Sequence, residues 1–175
     1  MLVADYILQR LAQEGIDTAF LVYGGAMAEL ADAFTRQSAI RYVCTIHEQA
    51  AIFSAEGYAK ASGKPGLVIV TSGPGVGNIV TGLQNCFYDS VPLIAITGQV
   101  SSQVMRTFNS KLRQRGFQET PTYAITEPIT KWSCIVGTAE IAKLAVAQAV
   151  RECQTDRHGP VLLDIPVDVQ RAEMP

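Results

Sequence analysis

Apolar positions along this chain fall into two alternating rhythms. Short runs rich in β-branched residues occupy Thr18–Tyr23, Arg41–Ile46, Gly66–Thr71, Leu93–Thr97, Ser133–Val136 and Val161–Ile165. Between them, apolar residues recur every three or four places over Val3–Glu14, Ala28–Arg36, Gln49–Ser62, Val76–Tyr88 and Ala139–Cys153. The first rhythm predicts strands and the second helices. Several strand segments are apolar throughout, as strands covered on both faces are. Alternation of the two predicts an α/β fold: a doubly wound, mostly parallel sheet with helices on both faces. The pattern is accounted for by a single domain over residues 1–170 and a short C-terminal tail, 171–175.

In such a sheet, ligands bind beyond the carboxyl ends of the strands, close to helix N-termini. Three strand ends therefore draw attention: "YGGAM" (Tyr23–Met27), "HEQ" (His47–Gln49) and "TSGPGVGN" (Thr71–Asn78). They are expected along one edge of the sheet. Ser101–Pro121 is the one long irregular stretch, and long loops in compact domains are often functional.

Composition narrows the picture. Of 175 residues, 48% are hydrophobic and only 17% charged, which predicts that a partner covers some apolar surface. A net charge of −2 argues against a general nucleic-acid binder. No apolar run reaches the ~18 residues of a membrane span. The N-terminus, "MLVADYILQRLAQEG", lacks the basic start and cleavage site of a signal peptide. Cys44, Cys86, Cys134 and Cys153 form no Cys-x-x-Cys pair, and His47 and His158 stand in no zinc-ligand spacing. Reduced, mostly buried thiols in a cytoplasmic protein are expected.

Each candidate motif has a plain structural reading beside its chemical one. Gly24-Gly25 permits close backbone approach to a ligand, or a sharp turn. "SGPGVGN" resembles a phosphate loop but fails its tests. The Gly-x-Gly-x-x-Gly pattern from Gly73 ends at Asn78, and Pro74 removes an amide that a phosphate would use. A glycine-lined turn against a flat ring fits better, with Asn78 either a helix cap or a ligand contact. Glu48 suits a helix's first turn through the macrodipole alone. However, the strand before it and the helix after it look buried, which puts the carboxylate in a cleft. There it is costly unless paired or protonated, and useful for moving a proton. His47 is read as a helix-start histidine bonded to backbone, with a second acid/base as the alternative. "MRTFNSKLRQR" holds Arg106, Lys111, Arg113 and Arg115 without an acid among them, either a solvated loop or a contact with an anion or partner.

Taken together, "HEQAA", "AEGYAKASGKPG", "TSGPGVGN", "TGLQNCFYDSVPLIAITGQV", "FQE", "PITK" and "GPVLLDIPVDVQ" resemble the N-terminal pyrimidine-binding domain of acetolactate synthase-like thiamine diphosphate enzymes. The resemblance runs from about residue 3 to 170, nearly the whole chain. It implies that Glu48 hydrogen-bonds a ring nitrogen of the cofactor's aminopyrimidine and favours the tautomer that takes the thiazolium proton. The activated cofactor then attacks a 2-oxo acid and carbon dioxide leaves. It also implies that Gly24, Gly25, Pro74 and Asn78 line the pyrimidine pocket, and that Phe117 and Gln118 reach toward cofactor and substrate. In the family, the diphosphate and Mg²⁺ are bound by a separate domain marked by Gly-Asp-Gly and a downstream Asn. This chain has no Gly-Asp-Gly, and it stops after "DIPVDVQRAEMP". The resemblance therefore implies a second, diphosphate-binding polypeptide in a heterotetramer with two copies of each chain. A fragment of a longer enzyme is the other explanation, and Met1 favours the split enzyme. Mg²⁺ is expected on the partner; no metal ligand is assigned here, and a flavin (FAD) requirement is left open.

Three departures bear on the substrate. Tyr23 stands where acetolactate synthases usually have proline, Val167 replaces the lysine of "IPKD", and the loop before "FQE" is longer and basic. They point to a different acceptor, with Arg113 and Arg115 contacting an anionic group. Two competing readings remain: a split 2-oxo acid decarboxylase of sulfopyruvate or phosphonopyruvate type, and a non-catalytic nucleotide-binding regulatory module.

Overall fold

A buried parallel pair needs a long crossover, and this chain supplies a helix at each one. The structure is a computed structural model that describes residues 1–105 and 111–175. Its elements in chain order are α1 (Val3–Gln13), β1 (Thr18–Leu21), α2 (Ala28–Ala33), β2 (Arg41–Cys44), α3 (Glu48–Ser62), β3 (Gly66–Val70), α4 (Pro74–Asp89), β4 (Leu93–Gln99), α5 (Thr122–Thr126), β5 (Trp132–Ile135), α6 (Ala139–Gln154), β6 (Pro160–Pro166) and α7 (Val167–Arg171). Turns of 3-10 helix lead into α2 and follow α2 and α5. The six strands lie in the order β2-β1-β3-β4-β6-β5, every neighbour parallel. The expected doubly wound sheet is present, and it is wholly rather than mostly parallel. Among the described residues no helix is long and apolar enough to cross a membrane.

Period-two alternation sorts the strand side chains into two cores. Leu67, Ile69, Ile94, Ile96, Val161, Leu163 and Ile165 pack with Ile7, Leu8 and Leu11 of α1 and Val146 and Val150 of α6. Val68, Val70, Leu93, Ala95 and Leu162 pack on the other face with Ile52 and Ala55 of α3 and Ile79 and Leu83 of α4. The two helices on that face sit close together because Gly82 is bare. A Cβ there would lie 2.4 Å from Ile52 Cγ2.

Local chemistry accounts for the element ends. α3 starts at Glu48 because His47 Nδ1 accepts a hydrogen bond from Gln49 N, and it stops at Gly63, in the left-handed region at φ +72°. α4 begins at Pro74, two residues before the expected start, because proline at the first helical position gives up an N–H that would have been orphaned anyway. α5 and α7 span five residues each, too short to display a helical period. Leu2 and Glu173 form an antiparallel bridge, which ties the two chain ends together.

Two expectations need correction. β2 does not look like its neighbours: all four of its residues are exposed, and Ile46 beyond it is 102% exposed. "YVCTI" reads as a buried strand, but β2 is the edge of the sheet and has only β1 beside it. The thiols are only partly buried. Cys86 and Cys153 are enclosed, and burial pushes both up to about 12, while Cys44 is exposed and Cys134 half-buried. All four are free.

A carboxylic acid lies buried inside the sheet. Asp164 of β6 is buried, and accepts from Thr97 Oγ1 at 2.7 Å and Gln99 Nε2 at 3.0 Å. Desolvation disfavours its charged form and pushes it up from 3.8 to about 6, against those bonds. Between these values the folded chain holds a proton that the unfolded chain has lost, so this residue's contribution falls as pH rises from about 4 to 6 and is flat above. The span corresponds to about 3 kcal/mol. Asp164→Asn removes the titration. Urea unfolding at pH 4 and pH 7 should therefore show wild type losing stability relative to the variant at the higher pH. A constant difference would mean that the carboxylate titrates normally.

Candidate active site

β1 lies between β2 and β3, and the chain reverses its direction of progress across the sheet there. Crevices form at such points, beyond the carboxyl ends of the strands. The loops after β1, β2 and β3 carry the residues singled out above and meet there. Glu48 is the first residue of α3 and half-buried. Its Oε2 accepts a hydrogen bond from Asn78 Nδ2 at 2.8 Å. Asn78 lies inside α4, so it is not a helix cap; it spends its amide on the carboxylate across the helix pair. The other oxygen, Oε1, faces Gly75, 3.7 Å from where a Cβ would sit. The Gly82–Ile52 contact that draws α3 against α4 thus also holds Glu48 within reach of Asn78.

Gly24 lies against Thr71: a Cβ on it would meet Thr71 Cβ at 2.4 Å. Thr71 Oγ1 accepts from Ala26 N at 3.3 Å, tying the β1 loop to the β3 loop. At Gly25 a Cβ would meet nothing within 4 Å, so open space lies over that turn. Pro74 is exposed at the head of α4. Tyr23 and Phe117, 65% and 82% exposed, present aromatic surface on two of the site loops.

The segment Gly116–Pro121 crosses the same edge. Gln118 adopts φ +57°, and Gly73 adopts φ +63°. A Cβ on Gly73 would lie 2.8 Å from both Gln118 Cβ and Gln118 O, so the two loops are in backbone contact. Glu119 folds back to accept from Arg115 N at 2.8 Å and Gly116 N at 3.1 Å. Lys111, Arg113 and Arg115 are exposed on the approach to this segment, and Arg106 lies outside the described residues. His47 is committed to capping α3, as the backbone-bonded reading expects.

The structure thus brings Gly24, Glu48, Asn78 and Gln118 to one edge through three neighbouring loops and the Gly116–Pro121 segment, with Gly25, Pro74 and Phe117 on the same loops. Sequence reasoning placed Thr71 and Gly73 in a motif but gave them no role. Nothing local signals that of Thr71, which is to meet Gly24 across the sheet. Gly73 was legible only as part of a glycine run.

Fold and geometry define a domain that presents a carboxylate at the carboxyl-end edge of a parallel sheet, beside glycine-rich loops. The chain belongs to the family described as thiamine pyrophosphate enzyme, N-terminal TPP binding domain, whose model matches residues 1–125. It is 44% identical over 168 residues to the chloroplastic acetolactate synthase of Arabidopsis thaliana, an alignment covering 96% of this chain and 24% of that protein. Against the acetolactate synthase large subunit of Lactococcus lactis it is 43% identical over 172 residues, 98% of this chain and 28% of the other. Against the isozyme 1 large subunit of Escherichia coli it is 40% identical over 169 residues, covering 97% and 29%. The chain therefore spans about a quarter of the length of the curated relatives it matches.

The two site glycines should respond differently to a methyl group. Gly73→Ala forces a left-handed alanine onto Gln118 and should destabilise the chain by about 1–3 kcal/mol. Gly25→Ala should leave stability unchanged within about 0.5 kcal/mol, as substitutions away from special features do. Equal urea midpoints for the two variants would contradict the Gly73–Gln118 contact.

Proposed function

We propose that this chain is the pyrimidine-binding half of a thiamine diphosphate-dependent carboligase that decarboxylates a 2-oxo acid and passes the acyl unit to an acceptor. Its site is completed by a diphosphate- and Mg²⁺-binding domain on a second polypeptide. The observation that carries this reading is Glu48, held by Asn78 beside Gly75 at the sheet edge where Gly25 leaves open space. These residues fit the cofactor's aminopyrimidine. A carboxylate oxygen would accept from a ring nitrogen, and the open space at Gly25 would admit a flat ring. The relatives' own name, acetolactate synthase, supports the reaction class. Exposed Tyr23, Ile46 and Phe117 around the crevice support a partner that covers it.

In this reading Glu48 holds a proton at the pyrimidine nitrogen through Oε1 while Asn78 keeps the carboxylate from rotating. Gly25 lets the backbone approach the ring, and Gly24 lets its loop close on Thr71. Gln118, seated on Gly73, and the exposed Phe117 face the substrate side. When bound, the cofactor supplies the electron sink for decarboxylation. Arg113 and Arg115 meet an anionic group on the acceptor or donor. Tyr23 and Val167, which depart from the acetolactate synthase pattern, favour a second outcome: a decarboxylase of the same fold, which releases an aldehyde instead of a 2-hydroxy ketone.

Co-purification of the tagged chain from its native lysate tests the assembly. A stoichiometric partner carrying Gly-Asp-Gly is expected, and the reconstituted pair should consume a 2-oxo acid. In that pair Glu48→Gln should lower kcat by about 10²–10⁴-fold, the usual worth of a positioned acid/base. Asn78→Ala should lower it less, since it removes the orientation and leaves the carboxylate. Full activity of Glu48→Gln would overturn the assignment. Reversing Arg113 and Arg115 to Glu should raise KM for the anionic substrate with kcat little changed, and an unchanged KM would assign the loop no substrate role.

A further inference from the structure

The Asp164 network extends past the sheet to the site. Gln99, the last residue of β4, is fully buried and uses every polar atom of its amide. Its Oε1 accepts from Val100 N at 3.0 Å. Its Nε2 donates to Asp164 Oδ2 at 3.0 Å and to the backbone carbonyl of Thr120 at 2.9 Å, with Thr122 Oγ1 a longer 3.3 Å away. Thr120 stands two residues after Gln118 and closes the segment that Glu119 braces from within. Gly116, at its other end, is buried against Val100: a Cβ there would lie 2.9 Å from Val100 Cβ. The segment is thus seated on the end of β4 at both ends, and the tie at Thr120 runs through one amide whose other hydrogen is taken by a buried carboxylate.

We infer that Asp164 is a positioning residue for the site: through Gln99 it fixes Thr120, and with it the seat of Gln118 on Gly73. The inference rests on the reading of Gln118 as a site residue given above. A buried side-chain amide could present either its oxygen or its NH₂ to the Thr120 carbonyl, and only the NH₂ bonds it. The carboxylate accepts and does not donate, so it selects that orientation. A hydrogen bond to an ionised acceptor is also about twice as strong as a neutral one, which holds the amide in place. The groups that meet the carboxylate are Thr97 and Gln99 of β4 and Thr122 of α5, all neutral, and the β5 residue in register with it is Ile135. Among the described residues no charged side chain figures in its environment. Protonation has one easy route: Oδ1 takes the proton, and Thr97 Oγ1 turns to the Leu163 carbonyl, 3.5 Å away. Gln99 then loses its ionic acceptor but keeps its orientation, so the segment should respond by a small shift and not by release.

The test uses the full chain alone, so it does not depend on activity or on a partner. In ¹H–¹⁵N spectra recorded from pH 4.5 to 7.5, the Gln99 side-chain amide and the Gln118 and Thr120 backbone amides should titrate together, with a midpoint near the carboxyl's value of about 6. Asp164→Asn, which can present its oxygen to Gln99 and its NH₂ to Thr97, should abolish that common titration and keep the segment ordered. Asp164→Ala removes the orienting acceptor. Hydrogen exchange at the Glu119 and Thr122 amides should then rise about tenfold, as expected for loss of a charge-assisted bond. Asn should restore slow exchange where Ala loses it. A titrating Gln99 beside flat Gln118 and Thr120 amides would overturn the inference, and the wild-type titration decides this even if Asp164→Ala does not fold. Loss of Glu48-dependent activity with this coupling intact would instead locate the failure in the proposed function.

Discussion

Every strand in this sheet runs the same way, and that constraint organises the rest of the molecule. Parallel neighbours cannot be joined by a tight turn, so each connection crosses a face as a helix or long segment. Consequently β1, β2 and β3 all end on one edge, and the segments that follow them start there. Glu48 heads α3 and Pro74 heads α4 for that reason. β1 has β2 on one side and β3 on the other, which opens a crevice between the loops that diverge from it. The site is a by-product of strand order, and the residues placed at those junctions decide its chemistry.

Packing tunes that edge over distances that matter for a proton. α3 and α4 approach closely because Gly82 offers no side chain to Ile52, and the approach brings Asn78 to Glu48. Gly24 fits against Thr71, and Gly73 against Gln118, in the same manner. At each place a missing Cβ lets one element touch another, and near two of them a polar side chain gains a partner, Asn78 on Glu48 and Thr71 on Ala26 N. Buried Asp164 is the reverse case. A carboxylate inside the sheet is disfavoured by desolvation, and it persists with Thr97, Gln99 and Thr122 about it.

Much of this was legible in advance. Among the described residues all six strands and five of the seven α-helices follow from apolar periodicity, and Glu48, Gly24 and Asn78 follow from motifs at strand ends. The reading of β2 failed for a physical reason. An apolar strand looks the same in sequence whether a neighbour covers it or not, and only strand order makes β2 an edge. Tyr42, Val43 and Ile46 are therefore exposed. Asn78 was open between cap and ligand contact because its position relative to the helix start turned on whether Pro74 or Val76 came first. α5 and α7 went unseen because one turn of helix has no period.

By itself, the sequence determined the alternation of strands and helices, the two-sided burial of β3, β4 and β6, and the titratable group at the α3 junction. Those depend on local rhythm and composition, which are read residue by residue. The tertiary structure alone decided which polar side chains meet. Asn78 and Glu48 are 30 residues apart, Gln99 and Asp164 are 65, and no local pattern links either pair. Their distances are set by strand order, by the close packing that bare glycines permit, and by the rule that a buried polar group must find a partner.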